Sequence, residues 1–217
     1  MSPLQALLEG GAISMLVAAL LLLMSVGSWV VIFWKSWLLW RATSDLVLCI
    51  PLFWQSESLQ HAVAALQVAD RERIILPLAQ ATQTTTAGTL AASGDSSQQL
   101  TRVLRDALHR VLHRLQSGQV LLASIGSVAP FVGLLGTVWG IYHALLGISG
   151  SGNLQIEQIA APVGEALIMT AVGLAVAIPA VLAFNILGRI IGKIEADLEG
   201  FARDLRELLL TRQPAQS

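Results

Sequence analysis

Between Arg114 and Arg189 the chain carries only two charged residues, Glu157 and Glu165. A stretch so poor in charge cannot form the surface of a water-soluble domain, where about a quarter of residues are charged. Three apolar runs each exceed the roughly 20 residues needed to cross a bilayer. They are residues 13–34, 120–148 and 159–187, and Glu165 is the one charge within them. With 54% hydrophobic residues, 12% charged and a mean hydropathy of +0.68, the whole chain reads as an all-α, three-span membrane protein. A carboxylate inside a span costs about 2.5–3.5 kcal/mol on insertion scales and marks a functional site by default.

The basic residues set the orientation. Eight of the 13 Lys and Arg lie between spans one and two, from Lys35 to Arg114, and five follow span three, from Arg189 to Arg212. Under the positive-inside rule, segment 1–12 and loop 149–158 face the periplasm. Loop 35–119 and tail 188–217 then face the cytoplasm. Trp29, Trp34, Trp37 and Trp40 are suited to anchor span one at the headgroups. No basic region precedes span one, so a cleaved signal peptide is not expected.

The cytoplasmic loop is too long for a simple connector. Its sequence predicts a helix from Gln55 to Leu78, broken at Pro77. An irregular stretch rich in small and hydroxyl residues follows, from Gln80 to Ser97. Leu100, Val103, Leu104, Ala107, Leu108, Val111, Leu112 and Leu115 then recur at helical spacing. That helix meets no breaker before span two, which predicts one continuous helix of about 70 Å from Gln98 to Leu146. Glu195 to Leu210 is amphipathic as well, so span three is expected to continue into the cytoplasm. Long helices of this kind would form a bundle shared between subunits. Cys49 is read as an inert small residue.

Two spans are lopsided. At 100° per residue, Gly126, Ala129, Gly133, Gly136, Thr137, Gly140 and Ala144 share one stripe of span two. Val128, Phe131, Val132, Leu135 and Trp139 take the other side. On span three, Glu165, Ala166, Met169, Thr170, Gly173, Val176, Ala177 and Ala180 share an arc opposite Leu167, Ile168, Leu174 and Ile178. Small stripes serve close helix packing, and Gly136 with Gly140 forms a GxxxG. Gly126, Gly133, Gly136, Gly140 and Gly173 are therefore read as packing residues. For Glu165 the alternatives are a carboxylate that snorkels to the outer interface, or one facing a subunit interface or polar lumen.

Catalytic and metal signatures are missing from the sequence. His109 and His113 are four apart on a helix but lack the Glu of a zinc motif. No phosphate-binding loop, nucleophile elbow or cysteine cluster occurs. The reading is of a non-enzyme with no cofactor, no metal and no nucleic-acid partner.

The segment Gly126-Ser-Val-Ala-Pro-Phe-Val-Gly-Leu-Leu-Gly-Thr-Val-Trp-Gly140 resembles the second-span signature of the MotA/TolQ/ExbB proton-channel family. The segment from Pro162-Val-Gly-Glu165 to Val181 resembles its third-span signature. Ala129-Pro130-Phe131-Val132 and the short outer loop are more similar to ExbB than to TolQ. Leu135 and Ile168-Met169 depart slightly from commoner versions of the pattern. The resemblance implies an inner-membrane motor subunit, a homopentamer whose lumen holds the single-span helices of an ExbD-like partner. Proton flow would then energise a TonB-like protein for outer-membrane transport. It also implies that Glu165, Thr137 and Thr170 line the proton pathway, with an aspartate supplied by the partner. Two other readings remain: a scaffold that merely houses the partner helices, and a TolQ-like subunit of the Tol-Pal envelope-integrity system.

Overall fold

Long apolar runs become long helices, because a backbone in lipid must satisfy its own polar groups. The computed structural model describes residues 11–83, 95–149 and 156–212. The expected outer segment up to residue 10, most of the irregular stretch and the centre of the outer loop lie outside the described residues. Six helices account for nearly everything described, and no strand occurs among those residues. They are α1 (Gly11–Trp54), α2 (Leu59–Ala69), α3 (Leu76–Ala81), α4 (Ser96–Gln116), α5 (Gln119–Ser149) and α6 (Ile156–Arg212). Three stretches of helix are long and apolar enough to cross a membrane.

The first helix continues past the span at 13–34 to Trp54 and carries Pro51 within it. Two expectations about helix limits need correction. The helix expected from Gln55 to Leu78 is two helices parted by residues 70–75, and Pro77 opens the second instead of breaking the first. The 70 Å helix is also interrupted. Ser117 leaves helical geometry at φ −56°, ψ 136°, and Gly118 takes φ 85°. The expected run of span three into the tail is present as α6, unbroken through 57 residues.

The chain divides into two compact units. Among the described residues, the first comprises 11–34, 118–149 and 156–186, and the second 35–83, 95–117 and 187–212.

The second unit has a leucine-rich core. Leu39, Ala42, Leu46, Cys49 and Phe53 are buried on α1, and Leu187, Ile191, Ile194, Leu198, Phe201 and Leu205 on α6. Both sets alternate three and four residues apart, the spacing of a coiled-coil seam. Phe53 meets Phe201 edge to face with centroids 5.0 Å apart. Ala62, Val63 and Leu66 of α2 and Leu104, Ala107, Val111 and Leu115 of α4 complete this core. Burial, with Asp70 and Asp45 nearby, pushes the Cys49 thiol up to about 11, so it stays protonated and unreactive at neutral pH.

Polar groups in this unit close helix ends and turns. Asp70 is buried and accepts from the backbone N–H groups of Ile74, Ile75 and Leu76 at 2.9, 2.8 and 2.7 Å. Helix α3 starts with orphan donors, and Asp70 satisfies them from outside the helix. The same turn is held by Asp45, which accepts from Glu72 N at 3.0 Å, and by Arg41, paired with Glu72 at 2.9 Å. Arg114 donates to the carbonyls of Glu72 and Arg73. Arg73 adopts φ 51°, uncommon for a residue with a side chain.

Lys35 was read as a charge marking the cytoplasmic side. It is fully buried, and its ammonium donates to Arg114 O at 3.0 Å, Leu115 O at 3.1 Å and Ser117 Oγ at 3.0 Å. Burial, and secondarily the Arg114 guanidinium, lower its pKa below the ordinary lysine value.

Candidate proton-pathway site

In the first unit, α5 and α6 run antiparallel and touch along their small stripes. A Cβ built on Gly133 would lie 2.6 Å from Met169 O and 3.2 Å from Gly173 Cα. One on Gly173 would lie 2.7 Å from Ala129 O. Towards one end, Gly126 faces Val181. Towards the other, Gly140 faces Ala166, with a would-be Cβ 2.8 Å from Ala166 Cβ. Gly126, Gly133 and Gly140 are seven residues apart, so they recur along one line of contact with α6. Lipid is as apolar as leucine, so the attraction between such helices comes from backbone-to-backbone closeness rather than from hydrophobic burial. Gly136 belongs to the same face, its would-be Cβ 3.0 Å from both Met169 Cβ and Val17 Cγ1, which brings α1 into contact.

The small stripe of span two, read for close helix packing, lies against α6 of the same chain. The arc of span three that was expected to turn with Glu165 towards a lumen or subunit interface is packed there too. Ala166, Gly173, Val176, Ala177 and Ala180 are all buried. The bulky residues face outward instead. Phe131, Leu135, Val138, Leu167, Ile168, Ile178 and Leu182 are exposed on the single chain.

The two threonines meet inside this crossing. Thr137 is 5% exposed, and its hydroxyl donates to Leu134 O at 2.7 Å. Thr170 is half-buried, and its hydroxyl points at Thr137 Oγ1 from 3.4 Å, a long and weak contact. A hydroxyl can both donate and accept, so the pair forms a polar point on a contact face rich in Gly and Ala.

Glu165 does not join them. It precedes the buried Ala166 on α6 but is itself exposed on the chain. Five residues separate it from Thr170, about 7.5 Å along the axis. Its neighbour Gly164 has open space where a Cβ would stand. The carboxylate is thus presented outward from the chain, with room beside it. Among the described residues no cluster of His, Cys, Asp or Glu could hold a metal ion.

Three ionic residues are buried that the sequence did not mark as buried, Asp45, Asp70 and Lys35. Asp70 falls within the helix expected from Gln55 to Leu78, so nothing there set it apart. Lys35 did give a signal: it falls four residues before Leu39, in register with the Leu39, Ala42, Leu46, Cys49, Phe53 seam, where an apolar residue is expected.

Comparisons with known proteins identify the family. Residues 77–200 match the family described as the MotA/TolQ/ExbB proton channel family. The chain is 41% identical over 214 residues to the biopolymer transport protein ExbB of Xanthomonas campestris pv. campestris, covering 92% of this chain and 83% of that protein. It is 37% identical over 207 residues to ExbB of Neisseria meningitidis, covering 91% and 92%. The Tol-Pal system protein TolQ of Haemophilus influenzae is 40% identical over 108 residues, half of this chain and 47% of that one. The matched family segment contains the whole glycine crossing, Thr137, Glu165 and Thr170, and the ExbB likeness extends over nearly the full length. The chain belongs to the MotA/TolQ/ExbB proton channel family.

Proposed function

We propose that this chain is the ExbB-type proton-channel subunit of a bacterial inner-membrane motor that powers TonB-dependent outer-membrane transport. The first unit is the membrane part, with the N-terminus periplasmic and the C-terminus cytoplasmic. The subunit works as a homopentamer around the single-span helices of an ExbD-like partner, and a TonB-like protein receives the work. The observation that carries this reading is the outward presentation of Glu165 on a helix whose inner face is fully used by the chain's own packing. A carboxylate so placed, with an unpacked glycine beside it, suits a helix supplied by another protein.

In this reading Glu165 sets a polar environment for an acidic group on the partner helix, and Thr137 and Thr170 extend that environment into the crossing. A TolQ-like role in envelope integrity is the second reading. The likeness to TolQ spans half the chain, whereas the likeness to ExbB spans nine-tenths, which favours the first.

The test uses proton flux in liposomes holding the chain with its partner, alongside energised uptake in cells. Glu165→Ala is expected to abolish both while the oligomer still assembles. Normal uptake by that variant would remove Glu165 from the pathway. Glu165→Gln separates charge from polarity: a loss as deep as that of the alanine variant assigns the role to the carboxylate itself. If only complex stability changes, the scaffold reading takes over.

A further inference from the structure

Sequence periodicity allows a single helix from Gln98 to Leu146, yet α4 stops at Gln116. No proline lies at the stop. Glycine at 118 permits a break but does not impose one, because glycine also continues a helix at modest cost. Something must therefore favour the interrupted form.

Lys35 supplies it. An α-helix ends with carbonyls that lack intrahelical partners, and it favours a cation there. The three donors of one ammonium meet three acceptors at this end: Arg114 O, Leu115 O and Ser117 Oγ. Ser117 Oγ in turn donates to Arg114 O at 2.8 Å, so the hydroxyl is fixed to the last turn it helps to close. In a continuous helix the Arg114 carbonyl would bond the N–H of Gly118, and the Leu115 carbonyl that of Gln119. The ammonium thus occupies the carbonyls that continuation would use.

The geometry points to Lys35 as a positioning residue for the proton-driven function: its ammonium holds the interruption at Ser117-Gly118 and so fixes the residue at which the Thr137 helix begins. Without it, the same sequence has a competing state, one helix running through 117–118. This inference rests on the proposed motor role for its effect on transport, but not for its effect on the helix.

The full complex with the ExbD-like and TonB-like partners is used for the test, with Lys35→Met, Lys35→Arg and Gly118→Ala. Hydrogen exchange is read at the amides of residues 118–121, which have no helical carbonyl in the interrupted form and gain one in the continuous form. Lys35→Met is expected to raise their protection and cut energised uptake about tenfold, with the oligomer retained. Gly118→Ala reaches the same end independently, shifting the balance by about 5–30-fold because alanine resists positive φ. Lys35→Arg, which keeps a multivalent cationic donor, is expected to retain the interruption and most of the uptake. Unchanged protection at 118–121 in Lys35→Met overturns the inference, whatever Gly118→Ala shows. If Lys35→Met does not assemble, Lys35→Gln is read in its place on the same criterion. Raised protection with normal uptake removes the functional role while leaving the helix switch. Loss of uptake in Glu165→Ala has no bearing on protection at 118–121, so a failure of the motor reading is seen separately.

Discussion

The two units solve the same problem, packing long helices, by opposite means. In the first, helices meet through glycine backbones, and large apolar side chains point away. In the second, Leu, Ile and Phe are buried in heptad seams, and buried ions close the helix ends. On the proposed placement, with the first unit in lipid and the second in water, the solvent explains the contrast. Lipid gives little reason to bury leucine, so contact depends on closeness of backbones. Water drives leucine inward, and any helix end carried inside with it needs a polar partner.

Four measurements would break or sharpen this contrast, each read as thermal unfolding of the detergent-solubilised protein unless stated. Leu198→Ala, in the second unit's seam, is expected to destabilise by about 2–5 kcal/mol. Leu182→Ala, exposed on the first unit, should stay within about 0.5 kcal/mol. Equal effects would dissolve the contrast. Next, Asp70→Ala strands three buried N–H groups and is expected to cost about 3 kcal/mol. A near-neutral result would show that residues 70–75 rearrange to reach other acceptors.

Gly133→Ala puts a methyl against the Met169 carbonyl, where backbone has to move, and is expected to destabilise by about 1–3 kcal/mol. Gly200→Ala has nothing within 4 Å of the new methyl. It is expected to stabilise by about 0.5–1 kcal/mol through helix propensity alone. The same substitution thus carries opposite signs in the two units, and matching signs would refute the backbone-contact account. The smallest effect concerns Cys49. Its raised pKa favours the neutral thiol, so at pH 8 about one part in a thousand is thiolate. Thiol labelling of the folded protein should therefore be slow at pH 8 and rise only as pH approaches 11, while the unfolded chain labels readily.

Much of this was legible in the residues. The apolar runs require long helices, and the glycine spacing requires a close contact somewhere. The run of α6 into the tail follows from amphipathic spacing without a breaker. What the small stripes would contact was not legible, because a stripe states the size of its partner and not its identity. A lumen, a neighbouring subunit and the chain's own next helix all satisfy it. Only the fold shows Gly133 against Met169 and Gly173.

The interruption at Ser117-Gly118 marks the boundary between what each level decides. Local sequence determined that the stretches 98–116 and 119–146 are helical, since propensity and period act over a few turns. It could not determine that the helix stops, because the competing donor for the Arg114 and Leu115 carbonyls belongs to Lys35, 79 and 80 residues away in the chain. Glu165 shows the same division. The sequence established that an expensive carboxylate lies in a span. The tertiary structure decided that it faces outward, because the inner face of its helix is already filled by the glycines of α5.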